Sequence, residues 1–317
     1  MSIRQVTVFG GSGFLGRAIV RALAQEGLLV RVAVRRTELA EPIKTAGDVG
    51  QITVMRANLR IPLSVAAAIT GSQAVVNAAG IPFQRGRQRY QTVHADGAKA
   101  IADAAGAAGV ERLIHVSGIG ADRRDSKNRF VQSKIAAEDA IVSGFPSATI
   151  FRPSVVFGPD DAMFNRLGRI AAVAPFVPVV GSGSARVQPV FVGDLGKAVV
   201  AALSKPETAK TVFELGGPRI YTYREIAALV LREIDRDKPI IGVPAGLMKL
   251  AAFFAEFLPV PPITYDQVDL LTWDNVARPA APGLAALDIE ATAAEAILPT
   301  YLDRFRIGGR YNQHAPA

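Results

Sequence analysis

Residues 6–16 read Val-Thr-Val-Phe-Gly-Gly-Ser-Gly-Phe-Leu-Gly. A short apolar run ends in Gly10, Gly13 and Gly16, three apart, and apolar residues then recur at Leu15, Ile19, Val20 and Leu23 with the spacing of a helix. The reading is strand, tight turn, helix. At such a junction the first glycine permits the turn, the second lets the backbone approach a pyrophosphate, and the third lets the helix lie close to the sheet. Phe14 and Leu15 open that helix, whose N–H groups point toward bound phosphates. A glycine triplet alone also fits an ordinary turn. Its place at the head of an alternating series of strands and helices is what favours a nucleotide.

Outward from this turn, strand patterns fall at 29–34, 52–55, 74–77, 112–116 and 148–151, with helical patterns at 88–108 and 129–142. Short strands alternating with helices predict an α/β protein built on a Rossmann-like, doubly wound parallel sheet with helices on both faces. After Arg152 the texture turns to glycine, proline and loop signals. The chain therefore divides into a nucleotide-binding Rossmann domain, residues 1–155, and a smaller, mostly helical C-terminal substrate or partner region, residues 156–317. A strand, an N-cap at Asp194 and a helix within 187–215 suggest that the chain rejoins the first sheet there. Further helices are expected at 223–233, 245–258 and 288–298, and the last six residues as a frayed tail.

Composition excludes several chemistries. The 317 residues contain no cysteine, which removes disulfides, thiolate metal sites and a thiol nucleophile. The three histidines, His94, His115 and His314, have no metal-ligand spacing, so no metal site is expected. The 36 basic against 28 acidic side chains leave a formal charge of +8, which suits an anionic partner such as nucleotide phosphate or lipid. Basic residues cluster at 85–89, 123–129 and 304–310, but without the interleaved aromatics of a nucleic-acid module, and no nucleic acid is expected. No stretch reaches the roughly 20 apolar residues of a membrane span, and the N-terminus lacks a secretory pattern. The expected place is cytoplasmic.

The end of the second strand bears on which dinucleotide is held. A carboxylate there would accept a hydrogen bond from the free ribose 2′-hydroxyl of NAD, but the sequence has Val34 followed by Arg35 and Arg36. Guanidinium groups pair with phosphate, which favours NADP(H) over NAD(H); the alternative is two solvated loop arginines.

These segments resemble the extended and atypical short-chain dehydrogenase/reductases over nearly the whole chain. Asn58-Leu59 stands where that family has Asp-Leu beside the adenine, Asn77-Ala78-Ala79-Gly80 resembles the turn lining the cofactor ribose, and the segments holding Ser117, Pro153 and Val155 resemble its later cofactor-lining stretches. Within the family, RPSVVFGPDDAMFNRL, VQPVFVGDLGKAV, FELGGPRIYTYREI, LTWDNV and YLDRFRIGGR are similar to one branch, the Rossmann-fold accessory subunit of respiratory complex I and its bacterial relatives. The resemblance implies a tightly held NADP(H) and a structural or assembly role. It also implies a peripheral position at the inner face of an energy-transducing membrane, with complex I or another quinone-linked membrane assembly as partner.

Active members of the family carry a Tyr-x-x-x-Lys pair on one helix face, where the lysine lowers the tyrosine pKa so that the phenol can exchange a proton with substrate. Here Lys134 is present but Phe130 occupies the tyrosine position, and Ile119 the usual Ser/Thr position. Little or no turnover is expected. The alternative is an NADP-dependent reductase or epimerase whose proton comes from Lys134, His94, His115 or Tyr90. Finally, 245–258 carries Leu247, Leu250, Phe254 and Leu258 at helical spacing, which reads as core or as a docking face for a protein or an anionic membrane surface.

Overall fold

The computed structural model describes residues 3–309. Six strands, β1 (Gln5–Phe9), β2 (Leu29–Val34), β3 (Ile52–Arg56), β4 (Ala74–Asn77), β5 (Arg112–Val116) and β6 (Thr149–Pro153), are joined by a seventh, Val212–Leu215. They form one sheet in the order Val212–Leu215, β6, β5, β4, β1, β2, β3, every pairing parallel. Valine and isoleucine dominate these strands because both faces are covered. The chain runs from β1 to β2 on one side and later places β4 on the other. A crevice therefore opens at the carboxyl ends of β1 and β4, where the strand order reverses.

Helices α1 (Phe14–Gln25), α2 (Pro62–Ile69), α3 (Asp96–Ala107) and α4 (Arg129–Gly144) supply the layers. One core joins Phe9, Val75 and Leu113 of the sheet to Ile69 of α2, Ile101 of α3 and Ile141 of α4. On the other face, α1 packs against the helix Val192–Ser204, closely enough that a Cβ on Gly196 would stand 3.0 Å from Ala22 Cβ.

Two compact units divide the chain. The first comprises residues 1–153, 192–215 and 277–290, and the second 154–191, 216–276 and 291–317. The second has its own core around Phe157, Phe164, Ile226, Val230 and Leu302, with Val155 packed against it.

Several expectations need correction. The helix expected from residue 88 begins as a π-helical turn, Gln91–Ala95, before α3, and neither α2 nor the helix Met163–Val173 is marked in the sequence pattern. Asp194 is no N-cap: its helix already starts at Val192, and the carboxylate is fully buried in the first turn. The segment 288–298 is not one helix, because Asp288 adopts a left-handed conformation (φ 60°) and only Ala294–Ile297 is helical. The helix expected over 245–258 stops at Ala255. The C-terminal tail, His314 and Arg310 lie outside the described residues.

A buried ion network ties α4 to the sheet. Arg152 on β6 donates from Nε to Glu138 Oε1 at 3.0 Å and from Nη2 to Glu138 Oε2 at 2.6 Å. Its Nη1 lies 3.7 Å from Glu214, which Arg278 also holds at 2.6 Å. Arg152→Met, which strips Glu138 of its cation, is expected to cost about 3–5 kcal/mol in urea unfolding, and adding Glu138→Leu to recover most of that loss.

Candidate functional site

The turn after β1 is shaped by contacts that leave no room for a side chain. Gly10 has φ +77°, and a Cβ there would meet Ala78 O and Ala79 N at 2.8 Å; on Gly16 it would stand 2.1 Å from Gly10 O. Gly13 is the N-cap of α1, and the first intrahelical bond runs from Arg17 N to Gly13 O at 2.9 Å. The N–H groups of Phe14, Leu15 and Gly16 therefore have no partner within the helix and face outward at its positive end.

In front of this turn lies a cleft of about 260 Å³. It brings together Gly10, Gly13, Arg35, Asn58, Leu59, Ala78, Ala79 and Gly80, all expected from the sequence. It adds Ser12, Arg60, Ile81, Gln88 and Val93, which the motifs do not mark. Arg36 does not line it. Nor do Ser117, Lys134, whose Nζ stands behind Gly80, or Pro153, whose carbonyl accepts Ile119 N–H at 3.0 Å. Val155 belongs to the second unit.

At the β2 end, burial and the charges of Arg36 and Arg60 hold the Arg35 guanidinium below its ordinary pKa. None of the three makes an ion pair among the described residues. Arg60 escapes the motif reading because it lies beyond β3; the signal that could find it is Asn58, whose Oδ1 accepts Arg60 N–H at 3.2 Å in a tight Asx-type turn.

At the β4 end, the donor and acceptor pattern fixes two histidine tautomers. His94 Nε2 accepts Ile81 N–H at 3.0 Å, and Ser133 Oγ donates to Phe130 O at 2.6 Å, so His94 Nδ1 must donate to Ser133 Oγ at 2.8 Å. Asn77 Oδ1 accepts Ala79 N–H at 3.1 Å, which turns its Nδ2 toward His115 Nδ1, also at 3.1 Å. His115 then carries its proton on Nε2, a buried atom with no partner, like Ser117 Oγ. Burial, then the Lys134 charge, pushes His94 down to about 2 and His115 to about 3. Lys134 is itself lowered to about 8 by burial, with Glu138 opposing; its Nζ donates to Val116 O at 3.5 Å.

Phe130 packs edge-on against Tyr90 and His94, with ring centroids 5.5 and 5.6 Å away, while Tyr90 and His94 stack at 5.4 Å. Tyr90 donates its hydroxyl to Pro82 O at 3.2 Å. Of the alternative proton donors, both histidines and Tyr90 are thus engaged in holding the site together. The glycine cradle and the open helix amides suit a dinucleotide. When bound, it would supply hydride chemistry at the Gly80 end, with Lys134 placed to hold a ribose hydroxyl.

Because the unfolded chain protonates these histidines near 6.5 and the native state only near 2 to 3, their contribution to stability is complete above pH 6.5 and lost as pH falls. Each should cost about 1.4 kcal/mol per pH unit below that point. Urea unfolding at pH 7, 6 and 5 should show the slope, and His115→Asn should roughly halve it.

The NmrA-like family model matches residues 3–251. The mitochondrial NADH-ubiquinone oxidoreductase 40 kDa subunit of Neurospora crassa is 32% identical over 308 residues, 96% of this chain and 80% of that protein. The ceramide reductase of Caulobacter vibrioides is 36% identical over 223 residues, 70% of this chain and 68% of that protein. The UDP-glucose 4-epimerase of Thermus thermophilus, in complex with NAD, shares the fold, with a TM-score of 0.68 at 19% identity over 95% of this chain and 98% of that one. The chain belongs to the NmrA-like family of atypical short-chain dehydrogenase/reductases, and its homologues include accessory subunits of respiratory complex I.

Proposed function

We propose that this protein binds NADP(H) as a structural cofactor, turns over little or no substrate, and serves as an accessory or assembly factor of complex I or another quinone-linked membrane assembly. The observation that carries the reading is Phe130 packed among Tyr90 and His94 where a catalytic phenol would stand. General acid–base help is worth about 10² to 10⁴-fold, so its loss leaves hydride transfer slow. For the 2′-phosphate, the support is Arg35 and Arg60 at the end of the cleft where an adenosine ribose would lie, with the Arg36 charge acting on Arg35.

A docking face is available in the second unit. Of the helix Ala245–Ala255 only Ala252 is buried, and Leu247, Leu250, Phe253, Phe254, Phe257, Leu258 and Val260 are all exposed. A contiguous apolar surface of this kind marks a partner or lipid contact. No helix among the described residues is long and apolar enough to cross a membrane. The proposed place is peripheral, at the inner face of an energy-transducing membrane, and its support is the complex I subunits among the homologues.

The second reading is an NADP-dependent reductase that takes its proton from Lys134. It is favoured by that lysine's buried position with a pKa near 8, and by the relative named ceramide reductase. The two separate on turnover. Protein shown to bind NADPH should leave carbonyl and quinone substrates unreduced. Steady NADPH oxidation abolished by Lys134→Ala would replace the first reading with the second.

Removing a charge-assisted phosphate contact should weaken NADPH roughly 10- to 100-fold. Calorimetry on Arg35→Ala and Arg60→Ala should show that loss for NADPH and much less for NADH; equal losses for both would argue against a 2′-phosphate site. For the docking face, Leu250→Ser/Phe254→Ser should abolish co-sedimentation with membranes from cells making the protein while leaving its melting temperature within about 2 °C.

A further inference from the structure

We propose that Lys134 makes this cleft select the reduced dinucleotide, holding NADPH more tightly than NADP⁺. The inference rests on the NADP(H) reading above and adds to it the redox form that the site prefers.

The order of groups along the cleft gives the orientation. Arg35 and Arg60 stand at the β2 and β3 end, the glycine turn in the middle, and Gly80 and Ile81 at the β4 end. A dinucleotide with its 2′-phosphate at the arginines and its pyrophosphate at the turn has its nicotinamide half beside Gly80. A Cβ on Gly80 would lie 4.0 Å from Lys134 Nζ, so the ammonium sits immediately behind that end.

No carboxylate forms an ion pair with this ammonium among the described residues. Lys134 is 9% exposed, and its hydrogen bond is to Val116 O. Glu138, one turn along α4, has both oxygens held by Arg152 at 3.0 and 2.6 Å. His94 and His115 face it as neutral rings, their tautomers fixed by Ile81, Ser133 and Asn77. One turn earlier, a tyrosine could offer a phenolate, but Phe130 offers only its ring, 5.8 Å from Nζ. The loss of the phenol therefore changes what the lysine does as well as removing a proton donor.

NADPH and NADP⁺ carry the same phosphates and differ by one positive charge on the nicotinamide ring. A fixed like charge a few ångströms away, at the effective dielectric of a buried protein site, disfavours the oxidised form by roughly ten- to a hundredfold in affinity. Occupancy would then follow the NADPH pool. Because a bound ligand stabilises the native state, the protein would be firmest under reducing conditions.

The test is calorimetric titration of the full chain with NADPH and with NADP⁺ separately. Wild type is expected to give a Kd ratio, NADP⁺ over NADPH, of about ten or more, Lys134→Met to reduce it to about threefold or less, and Lys134→Arg to keep it. A wild-type ratio near one overturns the proposal without any variant, and so does an unchanged ratio in folded Lys134→Met. Failure of both nucleotides to bind would instead overturn the NADP(H) reading, and this inference with it.

Discussion

A Cβ on Gly16 would stand 2.1 Å from the carbonyl oxygen of Gly10, so α1 can begin where it does only because that atom is missing. The close approach seats the helix N-terminus directly over the carboxyl ends of β1 and β4. It leaves three backbone N–H groups without partners in the same small volume, where the helix dipole adds positive potential. The cleft, its preference for phosphate and the direction in which a dinucleotide must lie all follow from this. Ala78 and Ala79 complete the constraint from the neighbouring strand, since Gly10 approaches their backbone just as closely.

Two clusters of positive charge then bracket the cleft, and they differ in kind. Arg35, Arg36 and Arg60 form an exposed group that water and ions screen. Lys134 is a single buried ammonium that solvent screens poorly. On the proposed reading the arginines would meet a 2′-phosphate at the adenosine end, and Lys134 would act on the charge of the nicotinamide at the other end.

The parallel sheet and the glycine turn were legible in the sequence because both rest on local pattern: apolar runs of four to six residues, glycines three apart, helical spacing after them. What the sequence hid depends on contacts between distant segments. The π-helical turn that sets His94 against Ile81 and Ser133 has no periodic signature, since one extra residue in a turn leaves the apolar pattern almost unchanged. Arg60 reaches the cleft through a short turn beyond β3 that no motif marks. Asp194 reads as an N-cap because aspartate usually is one, but burial of the whole first turn overrides that preference. The break at Asp288 comes from a left-handed residue that closes the turn Leu284–Leu287, a conformation aspartate tolerates and apolar spacing does not reveal. The absent tyrosine, by contrast, is visible at once, although its consequence for Lys134 requires knowing that Glu138 is already claimed by Arg152.

Holding an ammonium in the interior without a carboxylate costs stability, and the lowered pKa of Lys134 expresses that cost. An apolar side chain at the same place would fold as well or better if nothing ever entered the cleft. Ser117 Oγ and His115 Nε2 impose the same kind of cost, each a buried hydrogen-bonding atom left unused. A ligand seated at the Gly80 end would lie close to Lys134, and its binding would offset part of this cost. On this view the unliganded chain is the strained state, and the dinucleotide is part of its core. A protein built that way has a physical reason to retain its nucleotide after the catalytic phenol is gone, because the bound molecule supports the fold as well as any chemistry.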